Sequence, residues 1–443
     1  MVGMTTRSTQ RVGWRPQHIV YLLCIFLVLV ISPLDFSIDI GSLLEKSIGD
    51  KRSWTPPISL SRRVSKGTID MMIHRSGAFA NRARLKVEPV DEVQFTLWSS
   101  AQLRDGWGDG ALKKFKNVNH ACPFVQTCKS VIGDEERTTS ASLSKSAASI
   151  NMISDCQKIN SKLSRRFHQD GASFGQSRVL LCGEGGREVV EKELPYYDVS
   201  MLMDPSPPLG NARKNTVLFY NPHVRGGILF LMKAMLNHHQ QDIAVAAWKR
   251  EYDVSMFVSN CNGKERNHFL NDLHIANGLR VFSFGKCFQD NTKRITASSF
   301  LDKFEGEFLG TNRVSKFEEK RLTQVHFRYA VSMENTIDRP FYVTEKIFDA
   351  FRAGSIPIYY GTPEVYLFTP GPKSFIDASD FLHPRDLINY LQYLNSNFSA
   401  FQEYFLWDWE EYSQRPWIVS SMVTTTWQCA LCLQISTSQY PHE

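Results

Sequence analysis

The stretch 327–361, FRYAVSMENTIDRPFYVTEKIFDAFRAGSIPIYYG, constrains the fold more than any other part of the chain. Two short runs rich in apolar, aromatic and β-branched residues flank a segment with helical spacing. Thr344 stands where a helix is capped, Glu345 and Lys346 occupy the first turn, and Ile347, Phe348 and Phe351 share one face. Gly354 supplies the terminator before the chain re-enters an apolar run at Ile356. Strand, helix, strand in this order calls for a parallel sheet. The polar first turn then lies at the sheet's C-terminal edge, where open α/β proteins place ligands. There the helix amides and Lys346 can hold a phosphate, and Glu345 can accept hydrogen bonds from a ribose. By spacing alone, an ordinary capped helix with a solvent-facing Glu-Lys pair accounts for the same residues.

The alternation continues on both sides. YDVSMFVSNCN (252–262) reads as a strand and loop, 266–275 as a helix, LRVFSFGKC (279–287) as a strand and turn, and 386–395 as an amphipathic helix. Upstream, VQFTLWSS (93–100) and PYYDVSMLM (195–203) read as strands, and RVLLCGEGG (178–186) as a strand delivering Glu184 into a glycine loop. The stretch 138–164 reads as helical or as an inserted surface element. GWGDG at 106–110 lacks the spacing of a dinucleotide-binding fingerprint. The pattern predicts α/β domains over 90–245 and 246–400, followed by a packing segment, 401–443, in which FLWDWEEY (405–412) is structural.

Composition limits the function classes. At 42% hydrophobic and 22% charged residues, wholesale disorder is excluded, and 443 residues allow a cleft between domains. The net charge of +6 is concentrated at one end: residues 1–90 hold 13 basic and 6 acidic side chains, leaving 38 against 39 for the remainder. A nucleic-acid surface is therefore not expected.

Residues 19–31, IVYLLCIFLVLVI, carry no charge, and the window 17–36 reaches bilayer length. Arg7, Arg11 and Arg15 precede it, which favours a cytosolic tail (1–16), a transmembrane signal anchor (17–36) and a lumenal body. A cleaved signal peptide is the alternative, but no tidy small-x-small site stands near Ser32. The polar, basic stretch 37–89 reads as a stem.

The elements ENT, YVTEK and GSIPIYYG, in this order, resemble the donor-binding signature of the alpha-1,3/1,4-fucosyltransferase family; FVSNCNGKERNHF and GKC resemble its preceding elements. The resemblance is strong over 252–394 and weak before Phe174. It implies two facing Rossmann-like domains of the GT-B type and inverting transfer of fucose from GDP-fucose to a glycan or glycoprotein hydroxyl, in alpha-1,3 linkage, at the Golgi membrane. By the same resemblance Asn335, Tyr342, Glu345 and Lys346 bind the nucleotide sugar, and Arg266 stands near the leaving diphosphate, both as a donor-binding and as a catalytic group. Taken alone, Arg266 reads equally as a structural ion-pair residue.

Inverting transfer needs a base for the acceptor hydroxyl. Glu184 is the candidate, although vertebrate members of the family commonly have Glu-Ser-Pro where this chain has Glu184, Gly185 and Gly186; Glu191 and Glu193 are the other carboxylates of that region. The resemblance implies that no metal is essential to carry the diphosphate and leaves room for activation by a divalent ion. His268 and His274 read as helix-surface or packing groups, and His238-His239 lacks the acids of a zinc site.

With Cys24 inside the anchor, eight cysteines remain for an oxidising compartment. Cys122 with Cys128, and Cys429 with Cys432, are close enough in sequence for local disulfides, while the overall connectivity stays open; WQCALC also resembles a C-terminal pair of eukaryotic family members. Asn397-Phe398-Ser399 is an N-glycosylation triplet. Two other function classes stay open: a transferase with a different nucleotide sugar, and an inactive glycan-binding protein of the secretory pathway.

Overall fold

A computed structural model describes the strands within 90–218, Tyr197, residues 222–408 apart from 290–294, 304–314, 338–341 and 372, and beyond these Tyr412, Gln428, Cys429, Leu431 and Cys432. The expected anchor and stem lie outside the described residues, as do Cys122, Glu191 and Glu193. Among the described residues no helix is long and apolar enough to cross a membrane.

The first sheet comprises β1 (Val90–Trp98), β2 (Val118–His120), β3 (Val125–Gly133), β4 (Ala148–Asp155), β5 (Ser177–Glu184), β6 (Val199–Leu202) and β7 (Thr216–Leu218), in the order β2-β3-β1-β4-β5-β6-β7. Only β2 runs antiparallel to its neighbour. One expectation is corrected here. Within 138–164, read as helical or inserted, residues 148–155 form the strand between β1 and β5. Ala148, Ile150 and Met152 alternate with Ser149 and Asn151, a two-residue period over only five residues of a largely polar stretch, and pairing with its neighbours decides its conformation.

The second sheet comprises β8 (Tyr252–Met256), β9 (Val281–Ser283), β10 (Phe327–Met333), β11 (Ile356–Tyr360) and β12 (Ile376–Asp377), all parallel, in the order β12-β11-β10-β8-β9. Counted from β8, this is the doubly wound order 2-1-3-4-5. Among the described residues the α-helices that accompany it are α1 (Pro222–Leu236), α2 (Gln240–Trp248), α3 (Lys264–His274), α4 (Ala297–Leu301), α5 (Lys316–Gln324), α6 (Glu345–Arg352), α7 (Pro384–Ser396) and α8 (Phe398–Gln402). Ile228, Leu231 and Met232 of α1 and Ala247 of α2 share one core with Val254, Tyr329, Phe348, Ile358 and Leu391. The division expected at 245/246 thus falls inside α2, in a stretch that packs with the second sheet.

The apolar face of α6 is wider than its sequence suggests: all five residues from Ile347 to Phe351 are buried. Asp349 tolerates this because Lys320 of α5 reaches it at 2.9 Å. Gly354 ends the helix at φ 62°, with its N–H on Phe351 O (2.8 Å) and that of Ser355 on Ala350 O (2.9 Å), a Schellman closure that a left-handed residue permits. Asp253 anchors the start of β8, accepting from Arg328 Nη1 and Asn395 Nδ2, both at 2.8 Å, and from the Arg280 N–H at 2.7 Å.

The disulfides differ from the local pairs that the cysteine spacing suggests. Cys128 of β3 bonds to Cys432, 304 residues away, which ties the C-terminal segment to the first sheet. Cys429 is also disulfide-bonded. A second described bond, Cys261 to Cys287, joins the loops that follow β8 and β9. Short sequence separation makes a local pair feasible, but the fold brings more distant cysteines to bonding distance. Phe405, Trp407 and Tyr412 are buried in the C-terminal segment, with Tyr412 Oη donating to Phe368 O at 3.1 Å.

His326 lies edge-on to Phe300, which packs with Phe284 and Phe327, and burial pushes its imidazole down to about 4. The unfolded chain binds that proton near pH 6.5, so the stability linked to His326 is complete above that pH and is lost as pH falls towards 4. Between pH 7.5 and 5 this amounts to about 2 kcal/mol. Urea denaturation of the wild type should show that loss, and His326→Gln should remove most of it. Identical pH dependence in the two proteins would contradict the assignment.

Candidate functional site

The order of the second sheet places a split between β8 and β10: the chain after β8 passes through α3 to β9 on one side, and the chain after β10 passes through α6 to β11 on the other. The sequence-predicted residues converge there. Arg266 sits in the first turn of α3, Asn335 two residues after β10, Tyr342 before α6, and Glu345 and Lys346 in the first turn of α6.

Arg266 crosses the split. Its Nη1 donates to Asn335 Oδ1 at 2.7 Å, with Met333 O and Glu334 O each at 3.4 Å, and its Nη2 donates to Asn260 O in the loop after β8. Only 3% of Arg266 is exposed, and its Nε is buried without a hydrogen-bond partner among the described residues. Burial lowers its pKa, opposed by the negative charge of Glu334 and the nearby Tyr342, and an arginine in this setting stays charged. The Cys261–Cys287 bond sits in the same loop and restrains the segment from which Asn260 reaches the guanidinium.

Lys346 is held in an arrangement that the sequence did not disclose. Its ammonium lies 2.7 Å from Glu334 Oε2 and 2.8 Å from Thr344 Oγ1. Burial acts to lower its pKa, but the carboxylate of Glu334, reinforced by Glu345, Tyr342 and the hydrogen bond itself, holds it above the usual lysine range. Glu345 is half-buried, and Tyr342 is buried within electrostatic reach of both Arg266 and Lys346.

Thr344 occupies the N-cap position of α6, as predicted, but makes no capping bond. Its hydroxyl lies 2.9 Å from both oxygens of Glu334 and gives the first-turn amides of α6 no cap. Sequence reasoning quoted Glu334 within ENT and gave it no role. The available signal was an acid directly after a seven-residue apolar strand, a place where an ionised side chain must find partners.

Glu184 is the last residue of β5, in register with Asp155 at the end of β4, so two acidic residues stand at neighbouring strand ends of the first sheet. His268 is exposed and His274 half-buried on α3, each beside a phenylalanine ring, as expected of surface and packing groups. Among the described residues no group of three or more His, Cys, Asp or Glu could hold a metal ion. Asn397 caps α8 through its Oδ1 and donates to Tyr393 Oη at 3.0 Å, which places the sequon at an ordered helix junction.

These features define an α/β protein with a polar, doubly cationic cluster at the switch point of a parallel sheet. Residues 247–443 match the family description Glycosyltransferase family 10 (fucosyltransferase) C-term. Relatives include the GDP-fucose protein O-fucosyltransferase 3 of Gallus gallus, 28% identical over 182 residues (40% of this chain, 35% of the relative). The Alpha-(1,4)-fucosyltransferase of Arabidopsis thaliana is 34% identical over 126 residues (28% of this chain, 30% of the relative). The matched segments thus span about a third of these curated relatives. A crystal structure of an alpha1,3-fucosyltransferase with GDP-fucose superposes with a TM-score of 0.44 at 19% identity, covering 72% of this chain and 83% of that one.

The glycine that closes GSIPIYYG has a steric reason. A Cβ on Gly361 would stand 2.3 Å from Tyr359 Oη and 2.9 Å from Glu334 Cγ, and Tyr359 is fully enclosed. Gly361→Ala should therefore destabilise the protein by about 1–3 kcal/mol. Gly371→Ala, where the nearest atom is Leu406 O at 3.7 Å, should cost far less. Comparison of urea midpoints tests this, and equal losses would refute the steric account.

Proposed function

We propose that the protein is an inverting glycosyltransferase that moves fucose from GDP-fucose to a hydroxyl of a glycan acceptor, in alpha-1,3 linkage. The observation that carries this reading is the 2.7 Å bond from Arg266 to Asn335, which joins the two family elements across the sheet's switch point beside Lys346. In this mechanism the acceptor oxygen attacks the fucose anomeric carbon on the face opposite GDP. The bond from that carbon to the diphosphate oxygen breaks, and its electron pair leaves with GDP. Arg266 and Lys346, with the uncapped amides of α6, stabilise the growing charge on the diphosphate. Glu345 orients the ribose, and Tyr342 and Asn335 shape the pocket. Glu184, from the first sheet, takes the acceptor proton. The reading includes two facing domains and a type II Golgi membrane topology with a lumenal body, anchored through residues 17–36.

A second reading concerns the acceptor alone. The similarity to protein O-fucosyltransferases over 182 residues favours a hydroxyl on a polypeptide in place of one on a glycan.

Detergent-solubilised full-length protein, offered several nucleotide sugars with mixed glycans and folded glycoprotein domains, should transfer a deoxyhexose from GDP-fucose, detected by mass spectrometry. Transfer only from another donor would overturn the reading, and the mass of the acceptor fragment separates glycan from polypeptide. Glu184→Gln should keep GDP affinity while transfer falls about 100- to 10,000-fold. Near-normal transfer by a folded variant would remove Glu184 as the base.

A further inference from the structure

We propose that Glu334 is a positioning residue for the donor site: its buried carboxylate holds the Lys346 ammonium charged and oriented at the end of β10, ready for a diphosphate. The proposal rests on the nucleotide-sugar reading above.

The geometry begins with the strand. The Glu334 N–H donates to Tyr360 O at 2.7 Å, which continues the pairing of β10 with β11 past their last ladder residues and fixes where the side chain starts. Glu334 is 1% exposed overall, and an unpaired carboxylate at that depth would be prohibitive. It accepts from the Thr344 N–H at 2.8 Å, from the Thr344 hydroxyl at 2.9 Å and from Lys346 Nζ at 2.7 Å. Ser332, two residues earlier and so on the same side of the strand, donates its hydroxyl to Lys346 O at 3.0 Å. Lys346 is therefore gripped at both ends, its backbone by Ser332 and its ammonium by Glu334 and Thr344.

The location makes this grip necessary. A lysine in the first turn of a helix meets the positive end of the helix dipole, and burial removes water from its ammonium; both effects favour the neutral amine. The titratable groups facing Lys346 are Glu334 from the end of β10, Glu345 from its own helix and Tyr342 from the segment before α6, while Arg266 of α3 faces Glu334 from the other side. Of these, Glu334 both opposes deprotonation and contacts the ammonium directly. Two of the three N–H groups on Nζ are engaged by Glu334 and Thr344, which leaves one donor on a side chain that is 20% exposed. The Thr344 hydroxyl, donating to Glu334 and accepting from Lys346, makes no capping bond to α6. One carboxylate thereby prepares the ammonium for an anion.

The test uses full-length protein and Glu334→Gln, which keeps the shape and an acceptor for the Thr344 N–H but removes the charge. In the absence of nucleotide, amine acylation of Lys346 followed by peptide mass spectrometry across pH 6 to 11 reports its protonation. The labelling midpoint, obtained from the tenfold rise in rate per pH unit below it, should fall by about one pH unit or more in the variant. Calorimetry with GDP at increasing pH, in two buffers of different ionisation enthalpy, should show proton uptake on binding that sets in at lower pH for the variant than for the wild type. GDP affinity should drop about tenfold and weaken further as pH rises. Glu334→Asp, which retains the charge, should restore binding without proton uptake in part, and it serves as the test variant if Glu334→Gln does not fold, with a smaller shift of the midpoint in the same direction. An unchanged midpoint in a folded variant overturns the proposal. A lowered midpoint in a protein whose wild type binds no GDP upholds the grip on Lys346 and overturns the nucleotide-sugar reading instead.

Discussion

The bond between Arg266 and Asn335 is the contact on which the site depends, because it bridges the place where the second sheet divides. β8 and β10 lie side by side, yet the chains that leave them diverge towards α3 and α6. A parallel sheet wound in both directions opens a crevice at that point without any special residue. Here the crevice is crossed by a guanidinium whose other end holds the Asn260 carbonyl, in a loop that a disulfide fastens to its neighbour. The flanking loops are thus restrained before any ligand arrives, which lowers the ordering cost of binding.

Charge balance explains why so polar a cluster survives burial. Arg266 and Lys346 are cations and Glu334 is an anion enclosed beside them, so the trio carries one net positive charge within a few bonds of an uncapped helix start. A carboxylate alone at this depth would be driven to protonate, and an ammonium alone would be driven to lose its proton. Together they remain ionised. Packing around them is rigid: Gly361 touches both Tyr359 and Glu334, while α6 is buried across five consecutive residues and sealed at its end by Gly354.

Much of this second sheet was legible in the sequence. Apolar runs of strand length, the amphipathic α6 and the terminator Gly354 are local signals, and each reports on its own few residues. Asn335, Tyr342, Glu345 and Lys346 were singled out by the family resemblance, and the structure places Asn335 on Arg266 and Lys346 near Tyr342 and Glu345. Strand order was not legible, since pairing between distant segments leaves no mark on either one. For the same reason β4 escaped notice and Cys128 found its partner 304 residues away, not six. Glu334 was missed because its role arises only when β10, Thr344 and Lys346 meet. Thr344 was read as a cap because the rule for caps cannot see a competing carboxylate.

The claim that the switch point of the second sheet binds the diphosphate of a nucleotide sugar is tested most directly by calorimetric titration of GDP into wild type, Arg266→Ala and Lys346→Ala proteins of matched thermal stability. Each charge-assisted contact contributes about 1.5–3 kcal/mol, so each variant should bind GDP at least about tenfold more weakly than the wild type. GDP affinity unchanged in both folded variants would contradict the account.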